Sequence, residues 1–151
     1  MFAFVINFAD LVLAALLVGA VFGAWLFLNP QGLNANSYIT LQQQAIRTMN
    51  IVMPALGAAT TLVTITATVL GRGDRGQLCL LAGAAACFVT LGLITRFLNQ
   101  PINEIVMTWR VDLPPPNWTV LRDDWWKWHH VRLVTGLVGL CLLIAATLKR
   151  G

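Results

Sequence analysis

Arg122, Trp125, His129 and Arg132 follow one another at steps of three or four residues, and Trp126 fits the second step as well as Trp125. A helix through them carries two guanidinium groups, an imidazole and an indole on one face. Such a face is not a lipid-facing stripe: it either points into the bundle or lies in the headgroup zone. A second polar group closes the preceding apolar run: Arg96, Asn99, Gln100, Asn103 and Glu104. Arg96 lies one turn inside that run, where an arginine needs a carboxylate or a polar cavity. Asp10, Glu104 and Asp124 are the carboxylates available to it. Asp10 shares a helix face with Asn7 inside the first apolar run. It reads either as a helix–helix hydrogen bond or as an acid of the same site.

Ordinary explanations compete at several of these positions. Tryptophans and basic residues gather at membrane borders for solvation reasons, which is the expectation for Trp126 and Lys127. Pro101 suits the first turn of a new short helix, whose positive end would favour Glu104, and Asn99 would serve as a cap. His129 and His130 are adjacent, so on a helix they diverge by about 100° and do not easily share one ion. No HxxxH or ExxH spacing, haem-attachment motif, Ser-His-Asp set or phosphate loop is present. No cofactor is expected. A copper, iron or zinc ion held by His129 with Glu104 or Asp124 stays open as an alternative.

The elements that must position these groups are membrane helices. The chain is 58% hydrophobic and only 11% charged, against roughly 45–50% and 25% in soluble domains. Its apolar runs reach the 20 or so residues that cross a hydrocarbon core about 30 Å thick. The reading is a single all-α domain, 1–151, an integral membrane up-down four-helix bundle. Spans fall at about 3–28, 48–70, 77–98 and 118–148. A polar, Trp-rich loop and a short helix separate the third span from the fourth, whose first turns lie outside the hydrocarbon. The first run lacks a positive n-region and is too long for a signal peptide, so it is expected to be retained.

Ser37 is the expected cap of a helix that carries Gln42, Gln43 and Gln44 into the second span, which Pro54 should bend. Asn117, after three prolines, is the expected cap of the last helix. The threonines from Thr60 to Thr68 can return their hydroxyls to helix carbonyls. Cys79, Cys87 and Cys141 lie dispersed in apolar runs and read as small packers, not as a disulfide framework.

The formal net charge of +4 does not form a nucleic-acid patch. Arg72, Arg75, Lys149 and Arg150 stand at span ends, suited to lipid headgroups. The orientation adopted puts both termini in the cytoplasm, in a cytoplasmic (inner) membrane.

LNQPIN (98–103), Trp109 and DWWKWHHVR (124–132) resemble a family of small four-helix membrane proteins that includes the fungal anthrone oxygenases. Asn99, Pro101 and Asn103 match an N-x-P-(I/L)-N pattern after the third span. Trp125, Trp128, His129 and Arg132 match a W-x-x-W-(N/H)-x-x-R pattern leading into the fourth, and Arg122 matches an upstream arginine. The glutamine run containing Gln43 is similar to the family's polar entry to the second span.

The resemblance implies a cofactor-independent oxygenase in which a base deprotonates an electron-rich aromatic ketone and the carbanion reacts with dioxygen. His129 would then be the general base. Arg132, Arg96 and Asn103 would stabilise the enolate oxygen, and the tryptophans would line an aromatic slot. Asn99, Glu104, Trp109, Arg122, Gln43 and Asp10 complete the candidate substrate set. The implied partners are membrane lipid, a lipophilic substrate and dioxygen, with a homo-oligomer as a further expectation. A non-enzymatic accessory or ligand-binding protein is the other reading.

Overall fold

The computed structural model describes residues 1–71 and 73–149; Arg72 and Arg150, two of the expected headgroup anchors, lie outside the described residues. Five α-helices follow in order: α1 Phe2–Phe27, α2 Ala35–Leu70, α3 Arg75–Ile94, α4 Gln100–Met107 and α5 Trp118–Leu148. Between α3 and α4, Thr95–Asn99 form one π-helical turn. Four helical rods, with α4 extending the third, are long and apolar enough to cross a membrane. The chain is an all-helical integral membrane protein.

The rods form a ring. α3 packs most extensively on α5, and α1–α2, α2–α3 and α1–α5 close the circuit, leaving α2 diagonal to α5. The outward faces present large apolar side chains such as Phe4, Ile51, Leu62 and Val134, as lipid contact requires. The main core joins Ala14, Leu17, Ala67, Leu81, Phe88 and Leu143 from all four rods. Close approach of α3 and α5 depends on Gly139, where a Cβ would stand 2.9 Å from that of Cys87. Small residues allow that contact between membrane helices.

At about 1.5 Å per residue, the 36 residues of α2 span about 54 Å, well beyond the hydrocarbon. The polar stretch before the second span is therefore the same helix, which continues through Pro54. Its cap is Asn34, whose side chain accepts the Ser37 N–H at 2.9 Å, so Ser37 is the residue capped and not the cap. Asn117 does precede α5, but its side chain makes no capping hydrogen bond. The α2 threonines behave as expected: Thr60, Thr61, Thr64, Thr66 and Thr68 each donate to the carbonyl four residues back.

Asp74 caps α3 by accepting the Gly76 N–H at 2.7 Å, and Lys149 at the end of α5 reaches its carboxylate at 3.3 Å. The Gly76 bond and then the lysine hold the Asp74 carboxyl below the usual carboxylate range. At the other end, Gln43 clamps the connection after α4. Its Nε2 donates to the Val106 and Trp109 carbonyls, both at 2.9 Å. A smaller core of Ile46, Ile102, Val106, Trp125 and Trp126 fills that end.

Candidate functional site

Arg132 is the centre of the site. It projects from α5 toward the bundle axis and lines two clefts that flank α2. The first, of about 500 Å³, runs between α1 and α2 past Gly23, Gln42, Asn50 and Met53 to Gln100, Asn103 and Trp125. The second, of about 460 Å³, runs between α2 and α3 past Leu17, Leu62, Phe88, Val89 and Gly92 to Arg96. Val21, Met53, Pro54, Thr95, Gln100 and Arg132 belong to both walls, so the clefts meet at the guanidinium. Both volumes lie within the 300–1,000 Å³ or so usual for small-molecule sites.

The guanidinium is held by one residue behind the clefts and one in their shared wall. Its terminal nitrogens bond His129 Nδ1 at 2.7 Å and Thr95 Oγ1 at 3.3 Å. Arginine only donates, so His129 Nδ1 accepts and the imidazole proton sits on Nε2. No Asp or Glu among the described residues lies within ion-pair distance of Arg132. A cation this deep in a membrane bundle without a carboxylate is costly unless something anionic or dipolar comes to it.

His129 stands behind that arginine. It is 0% exposed and lines neither cleft. Its ring stacks on Trp125 at 5.0 Å and Trp126 at 5.6 Å between centroids. Its Nε2 lies beside the Val21 backbone but closes no hydrogen bond. At His129, the expected general base, Nδ1 is taken up by Arg132 and Nε2 is enclosed away from both clefts. Trp126, expected at the membrane border, is 9% exposed and forms one side of this stack. His130 faces the other way. It accepts from Trp25 Nε1 at 3.1 Å and contacts the Trp126 carbonyl at 2.9 Å, a bond its Nδ1–H donates.

The remaining expected residues divide sharply. Asn103 lines the first cleft and accepts from Trp125 Nε1 at 2.9 Å, which fixes the indole as cleft wall. Asn99 is 1% exposed and lines neither cleft; its Nδ2 donates to the Trp125 carbonyl at 3.1 Å. It positions the wall without capping α4. Arg96 is exposed at the edge of the second cleft, with only a 3.5 Å contact to Gln100 and no carboxylate partner. It stands on the π-helical turn and shares the wall of the second cleft with Arg132.

Gln43 is spent on the clamp of the α4 end, and its neighbours Gln42 and Gln44 are the α2 glutamines that line the first cleft. Adjacent helix positions diverge by about 100°, so Gln43 meets a different neighbour from the residues on either side of it. Trp109 is half-buried against the smaller core. Arg122 pairs with Asp123 at 2.8 Å over the Trp118 ring, and Trp128 takes Lys127 on its ring. None of these lines a cleft.

Asp10 also belongs elsewhere. It is 0% exposed in the opposite half of the bundle, where Thr64 Oγ1 lies 2.6 Å from its Oδ1. Its alternative reading, a helix–helix hydrogen bond, is the one the geometry fits. The metal alternative is not assembled either. Glu104 and Asp124 are exposed while His129 is enclosed, and among the described residues no three His, Cys, Asp or Glu side chains gather as a metal set. Sequence reasoning passed over Gln100, Gln42, Thr95 and Asn50 as site residues. Their signal was weak: uncharged amides and a hydroxyl scattered on three helices.

No curated relative and no solved structure matches the chain. The profile of one family does, over residues 43–142, a stretch holding Gln42's neighbour Gln43, both asparagines of the α4 turn and the His129–Arg132 pair. By that match the chain belongs to the anthrone oxygenase family.

Proposed function

We propose that the chain is a membrane-embedded oxygenase. Its substrate is a lipophilic, acidic aromatic ketone of the anthrone class, taken from the bilayer and oxidised by dioxygen to the quinone without a metal or organic cofactor. The observation that carries the reading is Arg132: a cation without a carboxylate partner among the described residues, at the back of a largely apolar cleft. A guanidinium fixed in a low-dielectric site is a preorganised partner for an enolate oxygen and requires no reorganisation when the charge appears.

In this reading the ring system lies against Trp125 with its oxygen on Arg132. The amides of Gln100 and Asn103 flank the oxygen. They are too weakly basic to take a proton. Arg132 instead lowers the cost of the enolate, and the proton passes to water at the exposed amides Gln44 and Asn50. The enolate carbon gives its electrons to dioxygen, a carbon–oxygen bond forms, and protonation yields the hydroperoxide. Loss of the remaining hydrogen from that carbon as a proton, with cleavage of the oxygen–oxygen bond, leaves a second carbonyl and water. The carbon is oxidised from CH2 to C=O, and one atom of dioxygen ends in each product.

Purified protein in lipid nanodiscs, given anthrone and an oxygen electrode, tests this. The expected result is one dioxygen consumed per anthraquinone formed, with the rate lost in Arg132→Met. A wild type that consumes no oxygen above the uncatalysed rate with anthrone or its hydroxylated derivatives would sink the reading.

A further inference from the structure

Two clefts of similar size meet at Arg132, and their walls differ. The first, beyond the shared residues, carries Gln42, Gln44, Asn50 and Asn103, a band of amides on two helices, α2 and α4. The second, beyond the shared residues, is walled mainly by Leu17, Leu62, Phe88, Val89, Leu91 and Leu93, with Thr61 and Arg96 as its polar members. An oxygenated ring system on Arg132 accounts for the first cleft only. It leaves a second apolar volume open on the far side of Met53 and Pro54, in direct continuation of the same guanidinium.

We infer that the ligand of this site is bipartite: an oxygen-rich aromatic head seated in the amide-lined cleft at Arg132, with a hydrocarbon substituent threaded under Met53 and Pro54 into the second cleft. The inference deepens the proposed function and rests on the reading of Arg132 as the seat of the ring oxygen. It has a direct physical basis. Apolar surface contributes to binding in proportion to the area removed from water, and each buried methylene adds to it. The two walls sort a head from a tail, because amides left without partners would penalise a hydrocarbon placed against them. The tail cleft also sets specificity at Gly92 and at Gly57. A side chain at Gly92 would meet nothing within 4 Å, and one at Gly57 would meet only Leu17 at 3.9 Å. Both glycines are room left open along the path, not contacts forced by helix packing.

The same openness supplies the test. Gly92→Leu fills the tail cleft and Gly23→Leu fills the head cleft, since a Cβ at Gly23 also meets nothing within 4 Å. Gly19→Leu, equally unobstructed but lining neither cleft, controls for helix effects. Binding is read by quenching of tryptophan fluorescence with two non-reacting probes, anthraquinone and a decyl-substituted anthraquinone, in one detergent. Comparing variants in that detergent cancels partitioning of the probe.

The expected result is a decyl preference in the wild type, lowered about tenfold in Gly92→Leu. Gly23→Leu weakens both probes alike, and Gly19→Leu changes neither. A decyl preference that survives Gly92→Leu would make the second cleft only a lipid-filled furrow and overturn the inference. So would a wild type that binds both probes equally. Because the probes do not turn over, chain-selective binding without oxygen uptake sinks the oxygenase reading alone. Uptake without chain selectivity sinks the bipartite ligand alone, and a protein that binds neither probe overturns both.

Discussion

Two ionisable side chains are buried in opposite halves of this bundle, and their surroundings differ in kind. Asp10 is sealed. It lies beside the main core, takes Thr64 as its partner and borders no cleft. Arg132 is propped. His129 holds it from behind, Thr95 from within the shared wall, and its front forms part of two clefts. Both would read in a sequence as functional residues at membrane depth. The contrast teaches that depth and charge identify an expensive residue, and that open space beside it separates a site from a clamp.

The comparison breaks most easily at Arg132. Arg132→Met should lower kcat for anthrone oxidation by about 10²–10³-fold, the usual cost of one charge-stabilising donor. Its thermal midpoint in detergent should stay level or rise, because an apolar side chain replaces a buried cation. A variant that keeps full turnover would show that the arginine is a strut.

His129 sharpens the same half. As a positioning residue it should tolerate His129→Gln, whose amide oxygen can still accept from Arg132, with turnover within about threefold; a true general base would lose 10²–10⁴-fold. Steady-state rates across pH for both proteins distinguish the two.

Asp10 provides the reverse case. Asp10→Ala should destabilise by about 1–3 kcal/mol, leaving Thr64 without its side-chain partner, while turnover per folded molecule is unchanged. Loss of turnover in fully folded Asp10→Ala would join the two halves into one site.

The smallest effect lies outside the bilayer, at Asp74. Its folded-state pKa is lowered, so its contribution is present above the unfolded carboxylate value of 3.8 and is lost as pH falls through the lower folded value. Asp74→Asn keeps a capping side chain but removes the charge facing Lys149. It should therefore lessen the fall of the thermal midpoint as pH drops below the unfolded carboxylate value of 3.8, relative to wild type.

Much of the bundle was legible because membrane helices announce themselves by length and composition. The turn at Pro101, the separate short helix and the long last helix followed from proline and charge placement. The site was legible only as a set of faces. Spacing put His129 and Arg132 on one side of α5, but it could not say that Arg132 would reach the clefts while His129 stayed behind it. That order depends on where α2 sits opposite α5. Gln43 and Gln42 failed for a related reason, since the choice between neighbouring amides is made by the α4 end that Gln43 happens to meet. The place of Arg96 at the edge of the second cleft depends on the turn after α3, which an i, i+4 pattern does not anticipate.

That turn carries a consequence of its own. A π-helical turn holds one residue more than the α-helix around it would need, so Thr95–Asn99 act as a phase shift between α3 and everything after it. Deleting a single residue there would make the rod more regular and would also rotate α4 by about 100° against α3. Asn103 would leave Trp125, and Asn99 would leave the carbonyl it holds. The site thus depends on the count of residues in this short stretch as well as on the identity of Thr95 and Asn99, and the count is information that only insertions and deletions erase.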